Sequence, residues 1–577
     1  MDNSSHHNIV LLLLALLLSP FLVACHLKTL KYRSDASPFP ANFLFGTSSS
    51  SYQYEGAIRA DGKGLNNWDV FTHKSGNVID GTNGDIAVDH YHRYLEDIDL
   101  MASMGVNSYR FSISWARILP KGKYGAVNLA GIDYYNKIID ALIVKGIQPL
   151  VTMNHFDIPQ ELENRYGAWL SPKLKEDFEY FADICFKNFG DRVTRWITFN
   201  EPNVFSILAY RFGIYPPKRC SKHFGNCSVG NSETEPFIAA HNIILAHAAA
   251  VNLYRTKYQQ QGGQIGITVQ ALWFEPISNS TADKLAAERA QDFLSNWFLD
   301  PIILGKYPSE MKNILGSTLP EFSSNDLSKL QKGLDFIGLN HYAGFYVQDC
   351  MFSTCEAIPG TSRTEGYIRQ TTEKDGIPIG ELTGMDPFHV YPQGMEKIVT
   401  YLKERFNNTP IIITENGYCE FSNSNSTIEE SVNDHKRVKY LSSYLDALSS
   451  AIRKGADVRG YFVWSLLNNF EWSNGYTKRF GLYDVDQKHQ LPGLRGVVMS
   501  SRNDDSCYQS DARTNPNVQG ESPLSTSSSS LFEVVGEVNQ APSAARSSTL
   551  STSGRRACPT APSKETAKEK GPGCQST

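Results

Sequence analysis

The chain has 577 residues, with 55 lysine and arginine residues against 60 aspartate and glutamate residues, a net charge of −5. This mild acidity argues against nucleic acid as the main partner. A hydrophobic fraction of 41% and a charged fraction of 20% exclude global disorder, and the length has room for one very large domain or several of average size.

The first 25 residues resemble a secretory signal peptide. Residues 9–18 are an unbroken apolar run, and small residues follow in FLVAC, where a signal peptidase would cut. The run is too short to cross a membrane, and no later stretch reaches 18 apolar residues. We therefore expect a mature protein without a membrane partner, sorted from the secretory pathway to the extracellular space, the cell wall or the vacuole.

Residues 38–486 repeat one pattern, in which an apolar, β-rich run ends near polar residues and a longer amphipathic segment follows. The eight runs are FLFGTSSSSYQYEG, VNSYRFSISW, QPLVTMNHF, RWITFNEP, QIGITVQALWFEP, LDFIGLNHY, PIIITENG and GYFVWSLLNNFEW. Intervening segments such as GIDYYNKIIDALIVKG show helical spacing and end at glycine. Eight such repeats predict a (β/α)8 TIM barrel. A doubly wound open sheet is the alternative, but no dinucleotide fingerprint follows the first run.

Two pairs of cysteines lie close together in polar, loop-like sequence, Cys220 with Cys227 and Cys350 with Cys355. They indicate disulfides and an oxidising compartment, the alternative being free thiols in a cytosolic protein. N-linked glycosylation is predicted at sequons without proline, which begin at Asn226, Asn279, Asn407 and Asn425.

The last part of the chain, residues 487–577, has a different composition. It is rich in serine, threonine, proline, glycine and charge and is almost empty of apolar periodicity. We predict that this tail is disordered, because it has too few apolar residues to bury a core.

Polar and aromatic residues lie at or near the ends of the eight runs. In a TIM barrel the carboxyl ends of the strands meet on one face and carry the active site. One pocket there is expected to collect Gln53, Arg110, His155, Asn200, Glu201, Asn340, Tyr342, Glu415, Trp464, Glu471 and Trp472.

Two of these residues, Glu201 in ITFNEP and Glu415 in IITENG, are carboxylates at the ends of different strands. Paired carboxyls in an aromatic pocket suit glycoside hydrolysis, where one protonates the leaving oxygen and the other attacks or stabilises the sugar. Neither H-E-x-x-H nor C-x-x-C occurs, and no G-x-S-x-G elbow is present. We therefore predict neither a metal site nor a serine triad.

TFNEP and ITENG, together with FLFGTSSSSYQYEG, WSLLNNFEW and RFGLYDVD, resemble family 1 of the glycoside hydrolases, in its plant β-glucosidase branch. The likeness covers about residues 38–486. It implies a TIM barrel that cleaves small-molecule β-glucosides with retention of configuration and without a cofactor. Thioglucosidases of this family replace the acid carboxylate with an amide, so Glu201 implies O-glycosides.

The resemblance also implies roles for single residues. Glu415 would be the nucleophile and Glu201 the acid and then the base, while Arg110 and Tyr342 would orient Glu415. Asn200 would bind the sugar 2-hydroxyl. The remaining glucose contacts would come from Gln53, His155, Trp464, Glu471, Trp472 and Phe480, with Asn340 facing the same pocket.

Two stretches depart from the family pattern. MDPFHVYPQG, with Pro387, Phe388 and His389, lacks the tryptophan that many relatives have before VYP, so the aglycone contact is altered. DCMFSTC and SRTEGY are similar to relatives proposed to hydrolyse phenylpropanoid glucosides such as coniferin.

The sequence after Asp486 lacks the last amphipathic helix of the family. Three readings stay open. The chain is an active β-glucosidase, a non-catalytic or unstable isoform that only binds sugar, or a transglucosidase with the same residues.

Overall fold

The computed structural model describes residues 39–356, 358, 361–421 and 434–485. The predicted signal peptide, the sequon at Asn425 and the tail after Asp486 lie outside these residues. Those expectations stay predictions.

Eight parallel strands form a closed barrel in chain order. The first strand pairs with both the second and the eighth, which closes the ring. This confirms the predicted (β/α)8 TIM barrel. The strands are β1 Leu44–Ser48, β2 Ser108–Ser112, β3 Gln148–Asn154, β4 Arg195–Asn200, β5 Gln264–Gln270, β6 Phe336–Asn340, β7 Ile411–Asn416 and β8 Val458–Trp464.

Helices connect successive strands. The longer ones are α1 His90–Ser103, α2 Leu129–Val144, α3 Leu174–Phe189, α4 Glu235–Leu253, α5 Thr281–Asp292, α6 Gln393–Arg405 and α7 His435–Arg453. Shorter helices span Ser51–Tyr54, Asn67–Thr72, Trp115–Ile118, Gln160–Tyr166, Pro202–Tyr210, Asn296–Leu299, Ser309–Leu315 and Ser324–Leu330. A helix after β8 would fall beyond Val485, outside the described residues.

The helices pack by apolar faces whose spacing is visible in the sequence. In α7 the buried residues Tyr440, Leu441, Tyr444 and Leu448 recur at helical intervals and face inward. The segment 235–261, which contains α4, is the one described helix long and apolar enough to cross a membrane. However, 83% of its apolar window is buried within the protein, as in a core helix.

The barrel interior is filled rather than hollow. Leu44, Ile197, Phe336 and Phe462 belong to one buried apolar cluster inside the ring. Gly46 permits this packing, because a Cβ there would lie 2.4 Å from the Phe462 ring. The solid base leaves room for a pocket only toward the carboxyl ends of the strands.

The run QIGITVQALWFEP contains two separate strands. β5 ends at Gln270, and Trp273–Pro276 instead pairs in parallel with Gly344–Asp349, which also pairs with Ile368–Thr371. This separate sheet lies beyond the barrel end, where apolar composition alone does not reveal a change of pairing partner. Short strands Pro120–Lys123, Glu373–Lys374, Ile377–Pro378, Glu420–Phe421 and Lys478–Arg479 complete the described β-structure.

Both predicted disulfides form. Cys220 bonds Cys227, and Cys350 bonds Cys355. The asparagines of the three described sequons, Asn226, Asn279 and Asn407, are exposed to solvent. Glycosylation itself stays a prediction.

Candidate active site

A cavity of about 720 Å³ opens at the carboxyl ends of the barrel strands. Nine of the predicted site residues line it, namely His155, Asn200, Glu201, Tyr342, Glu415, Trp464, Glu471, Trp472 and Phe480. Gln53, Arg110 and Asn340 lie behind this lining and connect to it by hydrogen bonds. The topology thus brings together the residues that the sequence analysis had grouped.

Glu415 lies on β7 and is only 4% exposed. Arg110 donates to its Oε1 atom, and the Tyr342 hydroxyl donates to its Oε2 atom at 2.7 Å. Arg110 is fully buried in the middle of β2, rather than at a strand end as expected. The Glu415 carboxylate is therefore held in a fixed orientation by one charged donor, Arg110, and one neutral donor, Tyr342.

Glu201 follows β4 directly and has different neighbours. Its backbone φ of 41° is in the left-handed region, where the chain turns into the helix Pro202–Tyr210. Burial and the negative charge of Glu415 raise the pKa of Glu201 to about 8. Asn340 donates a hydrogen bond to its Oε1 atom at 2.7 Å. Glu201 therefore keeps a proton near neutral pH while Glu415 is paired with a cation.

Asn200 has a defined amide orientation. Its Oδ1 atom accepts from Arg110 at 2.6 Å and from Asn340 at 3.0 Å, so its NH2 group points the other way. That NH2 group lies 3.0 Å from Nε2 of His155. Burial and the nearby Arg110 charge lower the pKa of His155 well below its usual value, so the imidazole is neutral and accepts this bond.

Aromatic rings form part of the cavity wall. Trp464 and Trp472 are each stacked near the His155 ring, with centroid distances of 5.8 and 5.9 Å and interplanar angles of 25° and 19°. Trp472 has a φ of 51°, a second left-handed residue in the site. Flat apolar faces beside polar groups suit the binding of a sugar ring.

Glu471 and Gln53 form a polar pair beside these rings. The Gln53 amide donates to Glu471 at 3.3 Å and to Asn469 at 3.0 Å. Burial and the charge of Glu415 raise the pKa of Glu471 to about 8. Ser50 donates to the Gln53 carbonyl at 2.6 Å, which fixes the amide. The pair offers acceptors and donors for sugar hydroxyl groups.

Sequence reasoning missed much of the outer half of the cavity. Val204 and Leu208 line it from one face of the helix after Glu201, and Ile214, Tyr215 and Lys218 line it from the following loop. Of these residues, only Val204 and Leu208 show a pattern in the sequence, a four-residue spacing that places them on one face of a helix. The loop residues carry no local signal of which side faces the cavity.

Phe388 and His389 differ in their relation to the cavity, and Thr414 supports Asn340 from behind it. Phe388 lines the cavity and stacks on Tyr342 at 5.9 Å, whereas His389 is buried and is not in the lining. Thr414, which the sequence analysis did not single out, donates to Asn340 at 2.7 Å and helps to orient it. In the described part of the chain, no group of three or more histidine, cysteine or acidic residues is arranged to hold a metal ion.

The chain matches the model of Glycosyl hydrolase family 1 over residues 35–496. It is 59% identical to β-glucosidase 47 of Arabidopsis thaliana, over 78% of this chain and 81% of that protein. It is 53% identical to coniferin β-glucosidase of Pinus contorta, over 79% and 89%. It is also 59% identical to a protein of Oryza sativa subsp. japonica named "Probable inactive beta-glucosidase 14", over 79% and 88%.

Solved structures agree with these relatives. A rice β-glucosidase has 47% identity and a TM-score of 0.76, covering 79% of this chain and 95% of its own. A variant of the same rice enzyme, in a covalent complex with Glc, matches with the same TM-score of 0.76.

Proposed function

Because the chain belongs to glycosyl hydrolase family 1, we propose that it is a retaining β-glucosidase that hydrolyses O-β-D-glucosides. One observation carries this proposal, namely the contrast between the two buried carboxyls. Glu415 is ion-paired with Arg110, while burial and the charge of Glu415 raise the pKa of Glu201 to about 8. One group is suited to attack and the other to donate a proton.

The reaction has two displacements. In the first, the Glu415 carboxylate bonds to the anomeric carbon as Glu201 gives its proton to the departing glycosidic oxygen. In the second, the Glu201 carboxylate takes a proton from water, whose oxygen attacks the anomeric carbon and releases Glu415. Two inversions return the β-configuration.

The surrounding residues would stabilise the oxocarbenium-like transition states. The oriented amide of Asn200 would bind the 2-hydroxyl, where a hydrogen bond that strengthens in the transition state raises kcat. Trp464 would form the floor under the sugar. Contacts to the other hydroxyls and the remaining wall would come from Gln53, His155, Glu471, Trp472 and Phe480, all of which lie at or directly behind the cavity wall.

For the aglycone we propose an aromatic, phenylpropanoid-type group. Val204, Leu208 and Phe388 give the outer half of the cavity an apolar surface, and Phe388 lies beside Tyr342. The similarity to coniferin β-glucosidase supports the same class of substrate. For location we propose the secretory pathway, supported by the predicted signal peptide and the two disulfides.

The relative named as probable inactive favours a second candidate, a protein that binds sugar without turnover. This chain has Glu201 and Glu415 in the described site, together with Arg110 and Asn340 that orient them. We therefore prefer the catalytic proposal. Transglucosylation uses the same residues and differs only in the acceptor of the second step.

Proton NMR of the first sugar released from an aryl β-D-glucoside tests the proposal. We expect β-glucose first, followed by slow mutarotation. Initial α-glucose would contradict retention, and absence of turnover with retained glucose binding would favour the non-catalytic candidate. Adding a simple alcohol to the reaction distinguishes hydrolysis from transglucosylation, because a transglucosidase forms the alkyl β-glucoside in preference to glucose.

A further inference from the structure

Lys218 is the only lysine or arginine among the described residues that line the active-site cavity. It is half-buried and lies in the loop after the helix Pro202–Tyr210, near Ile214 and Tyr215 of the outer half. Its φ of 62° is in the left-handed region, which glycine adopts freely and lysine rarely does. A charged side chain is thus present in this lining despite an unfavourable backbone conformation.

The ammonium group is held in place by a neutral residue. Nζ of Lys218 donates to Oδ1 of Asn77 at 2.5 Å. The Asn77 NH2 group donates to the backbone carbonyl of Phe71 at 2.8 Å, so its oxygen is directed toward the lysine. Asn77 and Phe71 also line the cavity. The contact therefore fixes the ammonium at the wall, and the other two of its three N–H donors have no hydrogen-bond acceptor among the described residues.

No acidic oxygen within the described part of the chain lies within 4.0 Å of this ammonium, whereas the next residue, Arg219, pairs with Glu235 at 2.5 Å. Asn77 carries no charge, so Lys218 forms no ion pair with the residues that the structure describes. Asp386 also lines the outer half, but it is exposed to water. At the inner end, the Glu415 charge is paired with Arg110. An anion entering the outer half would therefore meet Lys218 as its nearest cation.

We propose that Lys218 binds a carboxylate on the aglycone, so that preferred substrates are O-β-glucosides of aromatic carboxylic acids. This inference rests on the proposed function and specifies its substrate class. The glycosidic oxygen must lie beside Glu201 at the inner end. The carboxylate must therefore be on the part of the aromatic group remote from the sugar, with the ring against Leu208 and Phe388.

The test compares a charged substrate with an uncharged one, 4-(β-D-glucopyranosyloxy)cinnamate with its methyl ester. We expect the wild-type protein to favour the carboxylate in kcat/KM by about fivefold, the size of a partly exposed ion pair. The preference should shrink as salt is added, because salt screens such a pair. Lys218→Met should bring the ratio close to one, while Lys218→Arg should keep it.

Lys222→Met is the matched control. Lys222 is an exposed lysine in the same loop and does not line the cavity, so its loss makes the same change in net charge. The carboxylate preference should survive in this variant. Equal kcat/KM values for the two substrates in the wild type, or an unchanged ratio in Lys218→Met, would overturn the inference.

Failure of the proposed function gives a different result, because neither substrate would then be hydrolysed. In that case, calorimetric titration of the protein with 4-hydroxycinnamate and with its methyl ester still decides the question. Tighter binding of the acid that disappears in Lys218→Met supports the inference. Equal affinities, or an acid preference retained by Lys218→Met, overturn it.

Discussion

Glu201 and Glu415 have the same side chain, and the barrel surrounds them with different neighbours. Arg110 and Tyr342 donate to both oxygens of Glu415, whereas Glu201 receives a neutral amide from Asn340. Burial and the charge of Glu415 raise the pKa of Glu201, and Arg110 pairs with Glu415, so the two carboxyls are suited to opposite tasks at one pH.

The raised pKa of Glu201 has a consequence for stability. The folded-state value of about 8 lies above the ordinary value of 4.5, so between these pH values the folded protein binds a proton that the unfolded chain releases. Stability therefore falls as pH rises through this window. Glu201→Gln cannot ionise and should exceed the wild type in unfolding free energy at pH 8 by on the order of 1 to 3 kcal/mol.

Urea unfolding at pH 8 and pH 4.5 measures this effect, and the gain should nearly vanish at the lower pH. Glu415→Gln is the contrasting variant, because it leaves the buried Arg110 without its anion. The free energy of unfolding of Glu415→Gln should be lower than that of the wild type by about 3 kcal/mol or more at pH 8. An equal gain for Glu201→Gln at both pH values would show that its proton is not responsible.

Chemical rescue should separate the two catalytic roles. Glu415→Gly should lose turnover, and azide should restore it with an activated aryl glucoside to give the α-glucosyl azide, since azide takes the place of the nucleophile. Glu201→Ala should still form the glycosyl-enzyme and give the β-glucosyl azide. NMR of the azide products provides the measurement. The same anomer from both variants would mean that the roles are wrongly assigned.

At the scale of elements, the loop closed by Cys220 and Cys227 adjoins the outer half of the cavity. The chain around it supplies Ile214, Tyr215 and Lys218 to the lining. Replacing both cysteines with serine should lower the free energy of unfolding by about 2 kcal/mol, because the unfolded chain gains conformational entropy. It should also raise KM for aryl glucosides, because the three cavity-lining side chains lose their fixed positions.

The second disulfide offers a control of similar size. Cys350 and Cys355 close a loop of similar length, and neither residue lines the cavity. Their replacement should lower the melting temperature by a similar amount with KM little changed. Steady-state kinetics and thermal unfolding of both double variants make the comparison. An equal rise of KM in both would contradict a specific effect of the first loop.

The elements that the sequence predicted best are those defined by their own composition. Strands such as β7 and β8 are largely apolar runs that are buried along most of their length, and α7 shows its inner face as a helical repeat. The separate strand Trp273–Pro276 was not predicted, because its partner Gly344–Asp349 is distant in sequence. Pairing between distant segments leaves no local pattern.

The candidate site divides in the same way. Glu201 directly follows β4, and Glu415 lies near the end of β7. Both were predictable, because the carboxyl ends of the barrel strands lie on the active face. Lys218 was not, since its position depends on the loop path and on a contact with Asn77 across 141 residues of sequence. The two carboxyls belong to strand ends and Lys218 belongs to a loop, so only the carboxyls follow from periodicity.

At the scale of the whole molecule, the sequence after Asp486 does not show the amphipathic pattern of the last helix that the family resemblance implies. We predict that replacing residues 487–577 with a family-like amphipathic helix raises stability and soluble yield. An increase of about 2 kcal/mol in the free energy of unfolding would raise the melting temperature by about 4 to 8 °C in a protein of 150–250 residues. The rise would be smaller in this longer chain.

Thermal unfolding and specific activity of the two proteins, measured side by side, decide this prediction. The natural chain is the reference, and the replacement leaves every described cavity residue unchanged. Equal melting temperatures and equal activity would show that residues 487–577 do not weaken the barrel.

The hydrogen bonds of Arg110 couple parts of the site that act on different atoms of the substrate. One guanidinium donates to both Glu415 and Asn200, and Asn340 connects Asn200 to Glu201. A substitution at any of these residues leaves a buried donor or acceptor of its neighbour without a hydrogen-bond partner, which lowers the free energy of unfolding. A second substitution, at that neighbour, removes part of this loss. Double variants within this set should therefore lose less than the sum of the single variants. For the evolution of new sugar preferences, the order in which these residues change matters as much as which residues change.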